Sequence, residues 1–235
     1  MIFGTPLPLK DQYNGKITLE DASEGIALAI DNAKLLLKDA RVLFANQSYP
    51  RAIALSILAI EEAGKVYMIK NLLLSTQRIH SLWKELRNHK SKNFHWVFPM
   101  LKRMGITDAE VILSFTNKSS DSAVFLDQLK QICFYTEAVK VNGKCNWWHP
   151  SVITDRTTAE VYLDIANEVV FDDGILWTVE ALAVFKSFAS SEDGEVLYSN
   201  MLGYYQALFN GGHIGEDRFK RIYANLISLN TKDGI

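Results

Sequence analysis

The sequence predicts an all-α fold: a helical bundle of about seven helices, an additional C-terminal helical extension and at most one short β-hairpin. Three observations carry this. Apolar residues between Ile26 and Phe44 recur at steps of three and four, the period of an amphipathic helix. The stretch from Tyr49 to Leu74 is apolar on almost every side in its first half, which marks a helix buried on all faces. Strand-like alternation occurs only around Asn142-Gly143, a two-residue hairpin signal.

Residues 1–17 carry Pro6, Pro8 and Gly15 and read as an irregular lead-in. At Thr18-Leu19-Glu20-Asp21, a threonine three residues before an acid can cap a helix, each side chain satisfying the other's backbone N–H. The apolar stripe that follows runs through Ile26, Ile30, Ala33, Leu37, Ala40 and Phe44, with Asp31, Lys34, Lys38 and Arg41 mostly off it. Ala45 to Tyr49 is a short polar connector and Pro50 suits the first turn of the next helix, so the two helices form an antiparallel αα-hairpin. Thr76 is placed to cap a third helix through Ile79, Leu82, Trp83 and Leu86. Thr107-Asp108-Ala109-Glu110 repeats the start signature before a short helix.

A further helix is expected from about Ala123, with Phe125, Leu129, Ile132, Thr136 and Val139 on one face. After the hairpin, Trp147, Trp148 and Pro150 suggest a rigid crossing over the core. Thr157 with Glu160 opens a long run that breaks at Asp172-Asp173-Gly174 and resumes through Trp177 to Phe188. Val196 to Phe209 reads as a helix stopped by Gly211-Gly212, and Glu216 to Leu229 as the last one. The expected organisation is a lead-in (1–17), a main helical domain (18–190) and a helical extension (191–235) packed on the same domain.

Hydrophobic residues make up 48% of the 235 residues and charged ones 22%, enough apolar surface for a sizeable core. A net charge of -2 with interspersed signs gives no global attraction for nucleic acid. Two cysteines, Cys133 and Cys145, match no metal spacing and suit a reducing compartment. With no signal peptide and no membrane-length apolar run, a cytoplasmic protein is expected. Phosphate loops, dinucleotide fingerprints, serine-hydrolase elbows and zinc spacings are missing, so no cofactor and no metal is expected.

Two features hold chemistry. Glu61, Glu62 and Lys65 interrupt the apolar column of the second helix, and buried charge is costly unless paired. Two explanations stay open: an internal salt link that fixes helix packing, or a site or its scaffold. One cation cannot neutralise both carboxylates, so one of them must find a partner elsewhere; the segment Arg87 to Lys92 is the nearest in sequence to offer it. That segment is the second feature. Arg87, His89, Lys92 and His95 fall within ten positions of one another, with Phe94 and Trp96 beside them. A histidine moves protons near neutral pH, and an adjacent Arg or Lys holds phosphate, as metal-free RNA cleavage by the RNA's own 2′-hydroxyl requires. The alternative is a basic helix end whose cations stabilise its C-terminal dipole.

The string Ala59-Ile60-Glu61-Glu62-Ala63-Gly64-Lys65, the later His89-Lys90-Ser91-Lys92, and the stretch from Leu129 through Trp147 and Pro150 to Ile153 resemble the AbiV family of bacterial abortive-infection proteins, within the HEPN superfamily. The resemblance covers roughly residues 20–190. It implies a HEPN-like helical bundle that commonly forms a homodimer, a role in phage resistance through arrest of growth or translation, and contact with a phage-encoded protein trigger. Many HEPN proteins are RNases whose site is an Arg, four to six residues, then a His. Here Arg87 and His95 enclose seven residues, Arg87 and His89 only one, and Lys84 has the right gap to His89 but lacks the planar fork of Arg. The resemblance therefore implies the defence role more strongly than nuclease activity. On this reading His89 or His95 is the acid/base, Arg87 and Lys92 hold phosphate, and Glu61, Glu62 and Lys65 orient them. The rival is a non-catalytic module of the same fold that binds a phage or translation protein.

Overall fold

The computed structural model describes residues 12–88, 121–152, 154–170, 174–189, 196 and 200–232, without the side chains of 121–124, 225 and 228–232. The expected short helix after Thr107 lies outside these residues. The described residues are mostly helical, with a single two-stranded sheet among them.

Helix α1 spans Leu19–Ala45 and begins with the reciprocal cap: the Thr18 hydroxyl accepts from the Asp21 N–H (3.1 Å) while the Thr18 N–H donates to the Asp21 carboxylate (2.9 Å). Its buried face is Ala22, Ile26, Ala29, Ala33, Leu37 and Ala40. The small alanines let helix α2, Tyr49–Leu74, lie against it along its length. The reversal between them turns on Gln47, whose φ of 60° is left-handed. Helix α2 is the axis of the molecule, with buried residues on every side from Pro50 to Leu73. Its first half packs with α1, α4 (Asp121–Phe134) and α5 (Arg156–Val170) in one apolar cluster. Its second half packs with the N-terminal half of α1 and with residues 175–214 in another.

Helix α3, Ile79–Arg87, starts later than Thr76 suggested: Arg78 takes the cap position and its N–H donates to the Ser75 hydroxyl. On α4 the inward face is Leu126, Leu129, Lys130 and Cys133: Leu129 of the expected stripe is buried, while Phe125 stands 55% exposed and its neighbour Leu126 takes the inward place. The helix ends at Phe134, and Val139 belongs to strand β1 (Glu137–Val141), paired antiparallel with β2 (Lys144–Trp148) about the expected Asn142-Gly143 turn. The expected crossing falls to the Pro150–Val152 turn, which lies against α2 and α4, and not to the hairpin. Trp147 is 73% exposed, because consecutive strand residues face opposite sides and among the described residues neither side is covered.

Asp155 rather than Thr157 caps α5, accepting from the backbone N–H and hydroxyl of Thr158 at 2.8 Å each. These two bonds hold its carboxyl below the ordinary aspartate range. The run that was expected to resume directly through Trp177 does not: Ile175 bridges to Ile214, and a new helix α6 (Val179–Phe188) starts behind its own Thr178 cap. Val196 forms a bridge with Ala189, so α7 is shorter than expected, Met201–Asn210. Its stop is as expected. Gly212 is left-handed at φ 71°, with the Gly212 and His213 N–H groups returning to Phe209 and Leu208. Helix α8, Glu216–Lys232, stacks Phe219 on Phe209 with ring centroids 4.6 Å apart.

Candidate functional site

Burial on α2 sorts the three charges of the Glu61-Glu62-Lys65 cluster. Glu61 is 1% exposed and faces α4, where the Lys130 ammonium donates to its Oε1 at 2.6 Å. Lys130 is itself buried and reaches Asp127, one helical turn back, at 3.3 Å. Glu62 and Lys65 turn to the other side and pair with each other at 2.5 Å, one turn apart. One carboxylate thus takes its cation from its own helix and the other from outside it, as the charge count required. The outside cation seen for Glu61 is Lys130, in a buried link between α2 and α4.

Lys130 was legible but overlooked. It sits between Leu129 and Cys133 on the inward face of α4, and a lysine on an apolar face needs a buried acid. Beside it, burial pushes the Cys133 thiol up to about 11. A second overlooked cation is Lys70, buried near the end of α2, with its ammonium 4.4 Å from the Trp177 ring centroid, 4.6 Å from Tyr67 and 5.0 Å from Phe185. Three ring faces there share one cation and pin α2 to the segment entering α6.

Arg87 ends α3 and is half-buried. Its two terminal nitrogens donate at 2.6 Å each, one to the Asn14 side chain and one to the Tyr13 carbonyl, and its guanidinium lies 5.2 Å from the Trp83 ring centroid. Trp83 in turn donates to the Gly15 carbonyl at 2.9 Å and meets the Tyr13 ring edge-on. The lead-in is therefore strapped across α3, and the guanidinium fork is the buckle. His89, Lys92 and His95 lie outside the described residues.

A groove of about 560 Å³ runs between α1, α2 and α3, and Glu62, Lys65, Trp83 and Leu86 all line it. The ion pair of the Glu61-Glu62-Lys65 cluster and the last turn of α3 thus share one surface feature, with Leu28 and Asp31 of α1 on its far wall. Chemically it offers a compensated ion pair, an indole and two acids from α1, Asp21 and Asp31, above an apolar floor. Among the described residues no three His, Cys, Asp or Glu side chains gather as a metal ion would require, and no helix is long and apolar enough to cross a membrane.

The family model for AbiV, a HEPN family, matches residues 21–170. No curated protein and no solved structure matches the chain.

Proposed function

The chain belongs to the AbiV family of HEPN proteins, and from that membership we infer that it stops phage propagation in an infected cell by arresting translation, acting as a homodimer. Abortive infection is the family's role; the route to arrest is proposed here. The first reading is RNA binding or cleavage by the segment at the end of α3. On this reading His89 or His95 moves the proton, Lys92 holds phosphate, and Glu62 and Lys65, which line the groove beside α3, have the supporting role.

The second reading is a non-catalytic module that captures a phage-encoded or translation protein. One observation favours it: each terminal nitrogen of Arg87 already donates at 2.6 Å, to Asn14 and to Tyr13, so the guanidinium is held by the lead-in and has three of its five N–H donors left. That bonding carries our preference for capture over cleavage.

Infecting cells that express wild type or His89→Ala, and following total RNA beside plaque counts, separates the two. Capture predicts intact resistance and unchanged RNA in His89→Ala. Loss of both RNA breakdown and resistance in a variant that still folds overturns capture and supports cleavage.

A further inference from the structure

The outer face of α1 carries a pattern that burial within one chain does not explain. Leu28, Leu35 and Val42 follow each other at seven-residue steps and are 63%, 51% and 54% exposed. At ~100° per residue they form a line drifting only ~20° per step, over ~21 Å of helix. Asp31 and Lys38 flank one side of the line within ~20° of each other, and Asn32 and Asp39 flank the other. All four are exposed, and among the described residues none of them is paired.

The spacing is self-complementary. Laid antiparallel on a copy of itself with Leu35 at the two-fold axis, Leu28 meets the partner copy's Val42 at each end. On one flank Asp31 meets the other copy's Lys38, twice. On the other, the Asn32 amide meets the other copy's Asp39 carboxylate, twice. An isologous interface requires that every contact appear in both directions, and each polar residue on this face has its complement seven positions away. A shared edge widens the contact, since Leu28, Asp31, Asn32 and Leu35 also form the lip of the groove beside Glu62 and Lys65.

We propose that the Leu28-Leu35-Val42 face of α1 is the surface on which two copies of this chain pair, antiparallel about Leu35. The proposal deepens the homodimer reading above and places the two grooves, with their Glu62–Lys65 pairs, on either side of one seam. A single two-helix seam is short of the ~1,200 Å² of a standard interface, so the dimer is a weak one.

The test uses the full chain in sedimentation velocity at about 2–200 µM, a range that brackets micromolar affinity. Wild type is expected to dimerise reversibly. Leu35→Asp, which sets two carboxylates face to face at the axis, is expected to raise the dissociation constant at least ~100-fold. Asp31→Lys and Lys38→Asp each turn two attractions into repulsions and are expected to weaken self-association on the order of 10-fold. Mixed together, those two variants regain Lys–Asp pairs on both sides and form a heterodimer of near wild-type affinity. All three positions are exposed, and unchanged helical circular dichroism confirms folding. A wild-type dimer indifferent to Leu35→Asp overturns the proposed face while leaving the homodimer reading intact. A wild type that stays monomeric over the whole range overturns both, and leaves the defence role to the plaque assay.

Discussion

Breaking the Glu61–Lys130 link is the sharpest perturbation available. Both side chains are almost fully buried, at 2% and 5% exposure, and they meet at 2.6 Å. Removing one member of such a pair costs about 3–5 kcal/mol, because the other charge stays buried without its counter-ion. Glu61→Ala falls at the lower end, about 3 kcal/mol, since Lys130 keeps Asp127 at 3.3 Å. Lys130→Ala falls within the same range, because it removes the 2.6 Å counter-charge of a carboxylate that is 1% exposed. The two changes share one interaction, so the double alanine variant costs about 2–3 kcal/mol less than the sum of the singles. Glu61→Leu with Lys130→Met, which fills the volume without charge, returns to within about 1 kcal/mol of wild type. Urea unfolding of the four variants, followed by circular dichroism, measures all of this. A coupling below about 0.5 kcal/mol, or a Glu61→Ala cost under about 1 kcal/mol, refutes a buried ionic link between α2 and α4.

Three further outcomes follow from contacts elsewhere in the chain. Lys65→Ala costs below about 1 kcal/mol in the same urea series, because its pair with Glu62 is partly open to water. Arg87→Ala unbuckles the lead-in, so trypsin cleavage after Lys16 accelerates several-fold while the helical circular dichroism is kept; an unchanged rate contradicts the strap. Cys133, whose thiol is raised to about 11 from 9.0, stays protonated in the folded chain while the unfolded chain ionises. That stability is fully present below pH 9 and is lost as pH rises toward 11, an upper bound of about 2.7 kcal/mol at 1.36 per unit. The alkaline limb of the urea midpoint should therefore be flatter in Cys133→Ala than in wild type.

How much of this was legible depended on whether a feature was local. The Thr18–Asp21 cap, the α1 stripe, the all-round burial of α2, the Asn142-Gly143 turn and the Gly212 stop are local, and sequence spacing reported them. The inward face of α4 was misjudged because Phe125 and Leu126 are both apolar, and only the partner helix decides which one is covered. The hairpin tryptophans looked like core because large aromatics usually are, yet Trp147 is 73% and Trp148 39% exposed. For the site, the arithmetic of one lysine against two glutamates correctly required an outside cation. It did not say which cation: Lys130 was readable as a lysine on an apolar face, but it lies 69 positions from Glu61 and becomes its neighbour only when α4 folds against α2. Arg87 was legible as a cation at a helix end, but its engagement by Asn14 and Tyr13 depends on where the lead-in runs.

The central claim is that this chain aborts phage infection. The most direct measurement is the plating efficiency of a panel of phages on cells expressing the wild-type protein, against cells expressing the Glu61→Ala/Lys130→Ala variant at matched levels. Plating of at least one phage is expected to drop by several orders of magnitude with the wild type and to recover with the destabilised variant. Equal plating of every phage on wild-type and variant cells would contradict it.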